Sequence, residues 1–355
     1  MPEWAVPGRP RSVATARAAT SSAGECGVED QVSRPGPSTD PTGRHAALVG
    51  PTATGKTAVA VAVARALGDV ELVSVDAMAV YRGLDVGTAK PTGAQRAGVA
   101  WHLVDLVEPE EEFSVADFQA AAEEALQGIE ARGNRALLVG GTGLYLRAVI
   151  DRLAFPPRFP ELAAELESEA DAPRGVERLH GRLAELDPVA AGRMEPTNRR
   201  RVVRALEVTL GSGRAFSVSG PGLAEYPPTP FILVGLMLAR DELARRIEAR
   251  LDAQLAAGFL EETRALAARP DGLSRTAAQA LGYREVLAHL SGACTLEDAR
   301  ERILRRTRTF AKRQESWFRR DPRVQWLDAG RDDLVEAVLH LLDPGVGERV
   351  GRVGD

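Results

Sequence analysis

Gly50-Pro51-Thr52-Ala53-Thr54-Gly55-Lys56-Thr57 is the stretch on which the reading of this chain turns. It fits the phosphate-binding pattern G-x-x-x-x-G-K-[ST] at every fixed position. In such a loop the backbone N–H groups and a helix N-terminus converge on a phosphate. Lys56 adds a mobile positive charge, and the Thr57 hydroxyl is a magnesium ligand. The flanks agree with this reading. His45-Ala46-Ala47-Leu48-Val49 reads as a short buried strand, and Thr57 to Leu67 as an Ala/Val-rich helix. The loop specifies only a phosphorylated ligand, since kinases, NTPases and some transferases share it.

Outward from the loop, strands alternate with helices. Glu71-Leu72-Val73-Ser74-Val75 reads as a strand ending at Asp76, Trp101-His102-Leu103-Val104 as a short strand, and Ala136-Leu137-Leu138-Val139 as a buried one. Ser114 is placed to N-cap a helix running to about Arg132, and a further helix starts near Leu144. This alternation predicts an α/β fold with a parallel sheet flanked by helices, a P-loop NTPase-like core. Ligands of such sheets collect at the carboxyl ends of the strands. The loop at Gly50, Asp76 and Gly140-Gly141-Thr142 all fall there. Prolines at 156, 157 and 160 break the pattern, and helical segments follow to about Leu210. Phe231 to Leu238 reads as a strand returning to the sheet, helices fill Asp241 to Arg320, and Val324 to Leu327 is a last strand before a helix at Asp332 to Leu342. The expected organisation is an extension over 1–43, a first core segment over 44–152, a mostly helical insertion over 153–226, a second core segment with basic helices over 227–345, and a tail over 346–355. The extension is rich in Pro, Gly, Ser, Thr, Ala and Arg and reads as disordered. A dispensable tail or a misassigned start fits it better than a transit peptide, because amphipathic periodicity is lacking.

Composition excludes several classes. The chain has 355 residues, 44% hydrophobic and 27% charged, the proportions of an ordinary globular protein. No apolar run approaches the length of a membrane span, so no membrane association is expected. Its two cysteines, Cys26 and Cys294, form neither a metal-ligand pattern nor a disulfide framework, which fits a reducing cytoplasm. A net charge of −5 argues against a uniformly basic nucleic-acid binder. The basic residues are nevertheless concentrated in Arg199 to Arg204 and Arg300 to Arg320. A mildly acidic protein of this kind can carry a basic groove.

Three sites remain ambiguous on the residues alone. Asp76 at a strand end fits a general base, a magnesium ligand or a strand-end cap equally well. Arg246 and Arg250 lie four apart on one helix face, and spacing does not choose between them. Gly140-Gly141-Thr142 is either a close approach to a ligand or a tight turn with Thr142 as cap.

Several segments resemble a known family when taken together. They are Ser74 to Pro91 (Ser-Val-Asp-Ala-Met-Ala-Val-Tyr-Arg-Gly-Leu-Asp-Val-Gly-Thr-Ala-Lys-Pro), Gly140 to Tyr145, Asn198 to Val208, Ala257-Gly258-Phe259, Gly282-Tyr283-Arg284 and Ala311-Lys312-Arg313-Gln314. From about Ala46 to about Arg320 the chain resembles the tRNA dimethylallyltransferases, or tRNA isopentenyltransferases, in their bacterial form. No C-terminal zinc-finger pattern, such as eukaryotic relatives have, appears. The resemblance implies Mg2+-dependent transfer of a dimethylallyl group from dimethylallyl diphosphate to N6 of adenosine 37 in the tRNA anticodon loop. It implies Asp76 as the base and Thr57 and Arg250 on the diphosphate side. It further implies tRNA contacts at Asp76, Ala77, Met78 and Ala79, at Thr142, at Arg200, Arg201 and Arg204, at Gln279, Gly282, Tyr283 and Arg284, and at Arg308, Lys312, Arg313 and Gln314. Tyr283 is suited either to stack on a base or to pack internally. Arg200-Arg201-Val202-Val203 departs from the Gln-Arg pair frequent among relatives. A monomer is expected. The competing readings are a P-loop small-molecule kinase, an isopentenyltransferase acting on free adenine nucleotides, and a non-catalytic RNA-binding module.

Overall fold

The structure, a computed structural model, describes residues 45–218, 223 and 225–343. The expected extension over 1–43 and tail over 346–355 lie outside them. The described residues belong to one unit that spans Pro41–Asp355.

In chain order the core opens with β1 (His45–Val49), α1 (Lys56–Leu67), β2 (Val70–Val75), the short α2 (Gly93–Arg96), β3 (Trp101–His102), α3 (Val115–Ala131), β4 (Arg135–Gly140) and α4 (Gly143–Ile150). Four helices follow: α5 (Pro160–Asp171), α6 (Gly175–Leu186), α7 (Pro188–Ala191) and α8 (Arg199–Ser212). The chain then returns with β5 (Phe231–Met237), α9 (Arg240–Ala256), α10 (Phe259–Ala267), α11 (Tyr283–Leu290), α12 (Leu296–Phe318), β6 (Val324–Asp328) and α13 (Leu334–Leu342). Two short 3₁₀ turns, Phe216–Val218 and Ala277–Gln279, complete the described elements.

The six strands pair in parallel in the order β3-β2-β4-β1-β5-β6. A parallel sheet of this kind is covered on both faces, so its central strands can be apolar throughout. All five residues of β1 are buried. Ala46 and Leu48 face a layer formed by α1 and α13 (Val59, Val63, Val338, Leu342). Ala47 and Val49 face the opposite layer, where α3, α4 and α9 to α12 contribute Phe118, Leu146, Ile247, Phe259 and Ile303. Local chemistry sets the helix ends. Ser114 with Asp117 and Thr295 with Asp298 form capping boxes at α3 and α12. Gly68 (φ 77°) ends α1 in a left-handed cap.

Helices α5 to α8 bury their own apolar cluster, with Leu166, Leu179, Leu183, Val202, Val203 and Leu206 at its centre. The third strand is shorter than the sequence suggests. Leu103 (φ 60°) and Asp105 (φ 58°) leave the extended region, so pairing stops at His102.

A buried carboxylate fixes the start of β2. Glu71, 6% exposed, accepts hydrogen bonds from Arg132 Nε and Nη2 at 2.8 Å and Asn134 Nδ2 at 2.7 Å, and lies 2.6 Å from His102 Nε2. The Arg132 hydrogen bonds, outweighing burial, lower Glu71 from 4.5 to about 2. A depressed carboxyl adds stability that is fully present above its unfolded value and is lost as pH falls toward its folded value. Glu71→Gln is therefore expected to cost about 2 kcal/mol at pH 7 in urea denaturation. The gap from the unsubstituted protein should narrow as pH drops below 4.5. A gap independent of pH would assign the loss to packing.

Candidate active site

The register of the sheet brings the candidate residues to one level. Gly140 pairs with Val49 on one side and with Val75 on the other. The residues that follow each strand, Gly50, Asp76 and Gly141-Thr142, therefore emerge together at the carboxyl edge.

The loop after β1 has the backbone its sequence requires. Gly50 adopts φ 139°, where a Cβ would run into the Leu236 carbonyl of β5. Ala53 (φ 65°) and Gly55 (φ 87°) turn the chain into α1. Lys56 Nζ donates to Gly50 O at 2.9 Å and to Pro51 O at 2.6 Å, and Thr54 Oγ1 donates to Pro51 O at 2.9 Å. Burial of the ammonium, reinforced by the neighbouring Arg250 guanidinium and opposed by Asp76, lowers Lys56 to about 7. An anionic ligand in the loop would restore its charge. Thr57 lies half-buried in the first turn of α1.

Arg250 reaches this loop from α9. One Nη donates to Thr52 Oγ1 at 2.9 Å and the other to Thr88 O at 3.1 Å. Burial lowers its pKa, and Asp76 opposes that shift. Arg246, one turn earlier, pairs with Glu242 at 2.8 Å. Of the two arginines that spacing left equivalent, Arg250 is the one at the site.

Asp76 directly follows β2. Its Oδ1 accepts the Met78 N–H at 2.8 Å, so the strand-end turn is real, and the second carboxylate oxygen remains for another partner. Thr142 sits at the N-cap position of α4 without capping it. Its hydroxyl instead accepts the Ala77 N–H at 3.3 Å and ties the two loops together. Asp76, Lys56 and Arg250 are thus mutual electrostatic neighbours around one loop.

The IPP transferase family model matches residues 79–321, and a model described as isopentenyl transferase matches residues 44–104. A tRNA dimethylallyltransferase of Kineococcus radiotolerans is 50% identical over 305 residues, covering 83% of this chain and 95% of that relative. One of Streptomyces coelicolor is 46% identical over 309 residues, 86% of this chain and 98% of the relative. The chain belongs to the tRNA dimethylallyltransferase family. The crystal structure of the full-length tRNA isopentenylpyrophosphate transferase of Bacillus halodurans superposes with a TM-score of 0.62 at 37% identity, over 88% of this chain and 99% of that one. A eukaryotic dimethylallyltransferase described as acting on tRNA shares the fold, with a TM-score of 0.67 at 23% identity over 85% of this chain and 84% of that one.

Several contacts expected of a family member are placed otherwise by the structure. Tyr283 is 1% exposed, packs edge-on to Phe259 and donates to Glu262 Oε1 at 2.7 Å, so its ring is internal and offers no stacking face. Gly282 is buried beside it. Ala79 is 4% exposed, which leaves its side chain in the core. Gln314 faces the phosphate loop instead of solvent. Its Oε1 accepts the Thr52 N–H at 2.8 Å and its Nε2 donates to Gly141 O at 3.0 Å. Arg204 is tied to Pro156 O and to Glu207, each at 2.7 Å. Sequence does not reveal which way a long side chain turns: here Glu262 holds Tyr283, Glu207 and Pro156 O hold Arg204, and the backbone at Thr52 and Gly141 holds Gln314.

The remaining expected contacts are available. Arg200 and Arg201 on α8, Gln279 in the 3₁₀ turn, Arg284 on α11, and Arg308, Lys312 and Arg313 on α12 are exposed, and Ala77 and Met78 are half-buried next to Asp76. Arg305, Arg308 and Lys312 share a face of α12, with Arg302 one turn before. Arg306 turns away from it to pair with Glu285. No described helix is long and apolar enough to cross a membrane. Sequence reading missed Gln254 and Glu262, which grip the segment after Asp76. Both are ordinary polar residues on charged helices, and nothing in their spacing marks them.

Proposed function

We propose that this chain transfers a dimethylallyl group from dimethylallyl diphosphate to N6 of adenosine 37 in the anticodon loop of tRNA, releasing diphosphate. The observation that carries the proposal is the meeting of a phosphate loop, a half-buried arginine and a strand-end carboxylate at one sheet edge, in a chain of this family. The reaction forms an N6–C bond and breaks the C–O bond to diphosphate, whose oxygen keeps the electron pair. The loop amides, Lys56 and Arg250 stabilise that developing charge. The lone pair of N6 is delocalised into the purine, so the amine needs help. Asp76 accepts an N6 hydrogen bond, orients the amine and takes its proton.

The donor set suits magnesium. Thr57 supplies a hydroxyl, while diphosphate and water provide further oxygens, the sparse protein ligation that this ion favours. Among the described residues no group of three or more His, Cys, Asp or Glu could form a dedicated metal cage. Bound there, Mg2+ would neutralise the leaving group.

An adenine attacked at N6 must leave the stack, and unpaired loop bases do so readily. The exposed cations of α12, with Arg200 and Arg201 of α8, would hold the surrounding phosphates. The same reading places a monomer in the cytoplasm, with tRNA as its macromolecular partner. Incubation with labelled dimethylallyl diphosphate and tRNA, AMP or ATP tests the proposal. Label should enter tRNA. Label in AMP alone would favour the free-nucleotide reading, and phosphate transfer from ATP a kinase. Charge reversal at Lys312 and Arg313 should weaken tRNA binding at least tenfold and reduce the slope of log K against log salt by about two. An unchanged slope would remove this helix from the RNA interface.

A further inference from the structure

We infer that Glu262 is a positioning residue for the transfer reaction, holding segment 85–88 so that the Thr88 carbonyl aims Arg250 at the phosphate loop. The inference rests on the reaction proposed above.

Residues 85–88 lie in the loop that follows Asp76, and they form no helix or strand. Two turn bonds, Ala89 N–H to Val86 O and Lys90 N–H to Asp85 O at 3.0 Å, hold part of the segment, and side chains from α9 and α10 bind further groups of it. Glu262 Oε2 accepts the N–H groups of Asp85 at 2.9 Å and Val86 at 2.7 Å. Its Oε1 accepts the Gly87 N–H at 3.0 Å and the Tyr283 hydroxyl at 2.7 Å. One carboxylate thus serves four donors, three of them consecutive amides, an anion-binding nest filled from within the chain. The carbonyls of Val86 and Gly87 accept Gln254 Nε2 at 2.7 and 2.9 Å. The next carbonyl, Thr88 O, accepts Arg250, whose other Nη reaches Thr52 Oγ1 in the loop. Gly87 has no room for a side chain, because a Cβ would collide with the rings of Phe259 and Tyr283. The segment is therefore pressed onto α10 and α11 and pinned by Glu262.

The consequence is a chain of fixed positions from Glu262 through the 85–88 backbone to the Arg250 guanidinium. A guanidinium loses less entropy on binding an anion when its fork is already oriented. Glutamine at 262 would turn an N–H2 toward groups that are themselves donors, so at least one backbone amide would lose its acceptor. The segment would then no longer hold Thr88 O in place.

The experiment is a double-mutant cycle of Glu262→Gln and Arg250→Ala. Its readouts are kcat, the KM for dimethylallyl diphosphate, the KM for tRNA, and calorimetric binding of inorganic diphosphate. Alone, Glu262→Gln should raise the donor KM and the diphosphate Kd by about tenfold, the scale of a lost charge-assisted hydrogen bond. The KM for tRNA should stay within about twofold, since phosphate contacts elsewhere dominate it. On the Arg250→Ala background, Glu262→Gln should add little further loss, because the group it positions is gone. Equal losses on both backgrounds, or a lowered melting temperature with unchanged diphosphate affinity, would overturn the inference. Gln254→Met removes the two carbonyl contacts of the same segment and decides the matter if Glu262→Gln does not fold. It should raise the diphosphate Kd only where Arg250 is present. If the unsubstituted protein labelled AMP and not tRNA, the acceptor proposed above would fall, while the diphosphate cycle would still decide for or against Glu262.

Discussion

Asp76→Ala is expected to lower single-turnover transfer by about a thousandfold at saturating donor and tRNA, the middle of the range for a general base. The size follows from the acceptor. Its lone pair belongs to the aromatic system, and attack develops positive charge on N6 that only proton removal relieves. In the proposed reaction that task falls to Asp76, which follows β2 with one oxygen held by the Met78 N–H. Affinity for tRNA should change by less than about threefold, because a single hydrogen bond is lost from an interface held largely by phosphate contacts. Asp76→Asn should behave like Asp76→Ala in turnover, since the amide preserves the shape of the site but takes up no proton. Filter binding and rapid-quench transfer separate the two effects. Turnover within about fivefold of the unsubstituted protein would remove Asp76 from proton transfer and leave it as the cap of a turn.

Arg250→Ala should lower kcat by about a hundredfold or more, whereas Arg246→Ala should stay within about twofold. The two side chains have the same chemistry and lie one turn apart, so the contrast tests placement alone. Arg250 lies half-buried against the loop, with Thr52 and Thr88 holding its fork. In the proposed reaction a positive group fixed there would stabilise the departing diphosphate with little reorganisation. Arg246 spends its charge on Glu242 at a half-exposed position, where an ion pair contributes little. Arg250→Lys should recover only part of the loss, because a point charge cannot replace the bidentate fork. Steady-state kinetics with labelled donor measure all three. Equal defects at 246 and 250, or a larger one at 246, would reverse the assignment.

Much of this site was legible because its elements are local. A glycine loop, a strand that ends in a carboxylate and a second glycine turn each need only a few consecutive residues to specify them. The cap expected at Ser114 is likewise present at the start of α3. The expected strands at Glu71, Ala136, Phe231 and Val324 appear within a residue or two. The basic run on α12 was equally visible as composition. Its inward and outward members were not distinguishable, because Arg306 and Arg308 differ only in whether Glu285 lies opposite.

The sequence by itself determined an α/β core with a parallel sheet, the strand ends that gather its candidate residues and the family resemblance of the motifs. Tertiary structure alone decided which side chains reach that edge. Arg250 meets Thr52 across 198 residues, Gln314 meets Thr52 across 262, and Glu262 meets Gly87 across 175. Helical periodicity fixes which residues share a face, but not what that face touches. Tyr283 and Gln314 became internal, and Arg250 was drawn to the phosphate loop, because partners distant in sequence close around them, and that information resides in packing, not in any local run of residues.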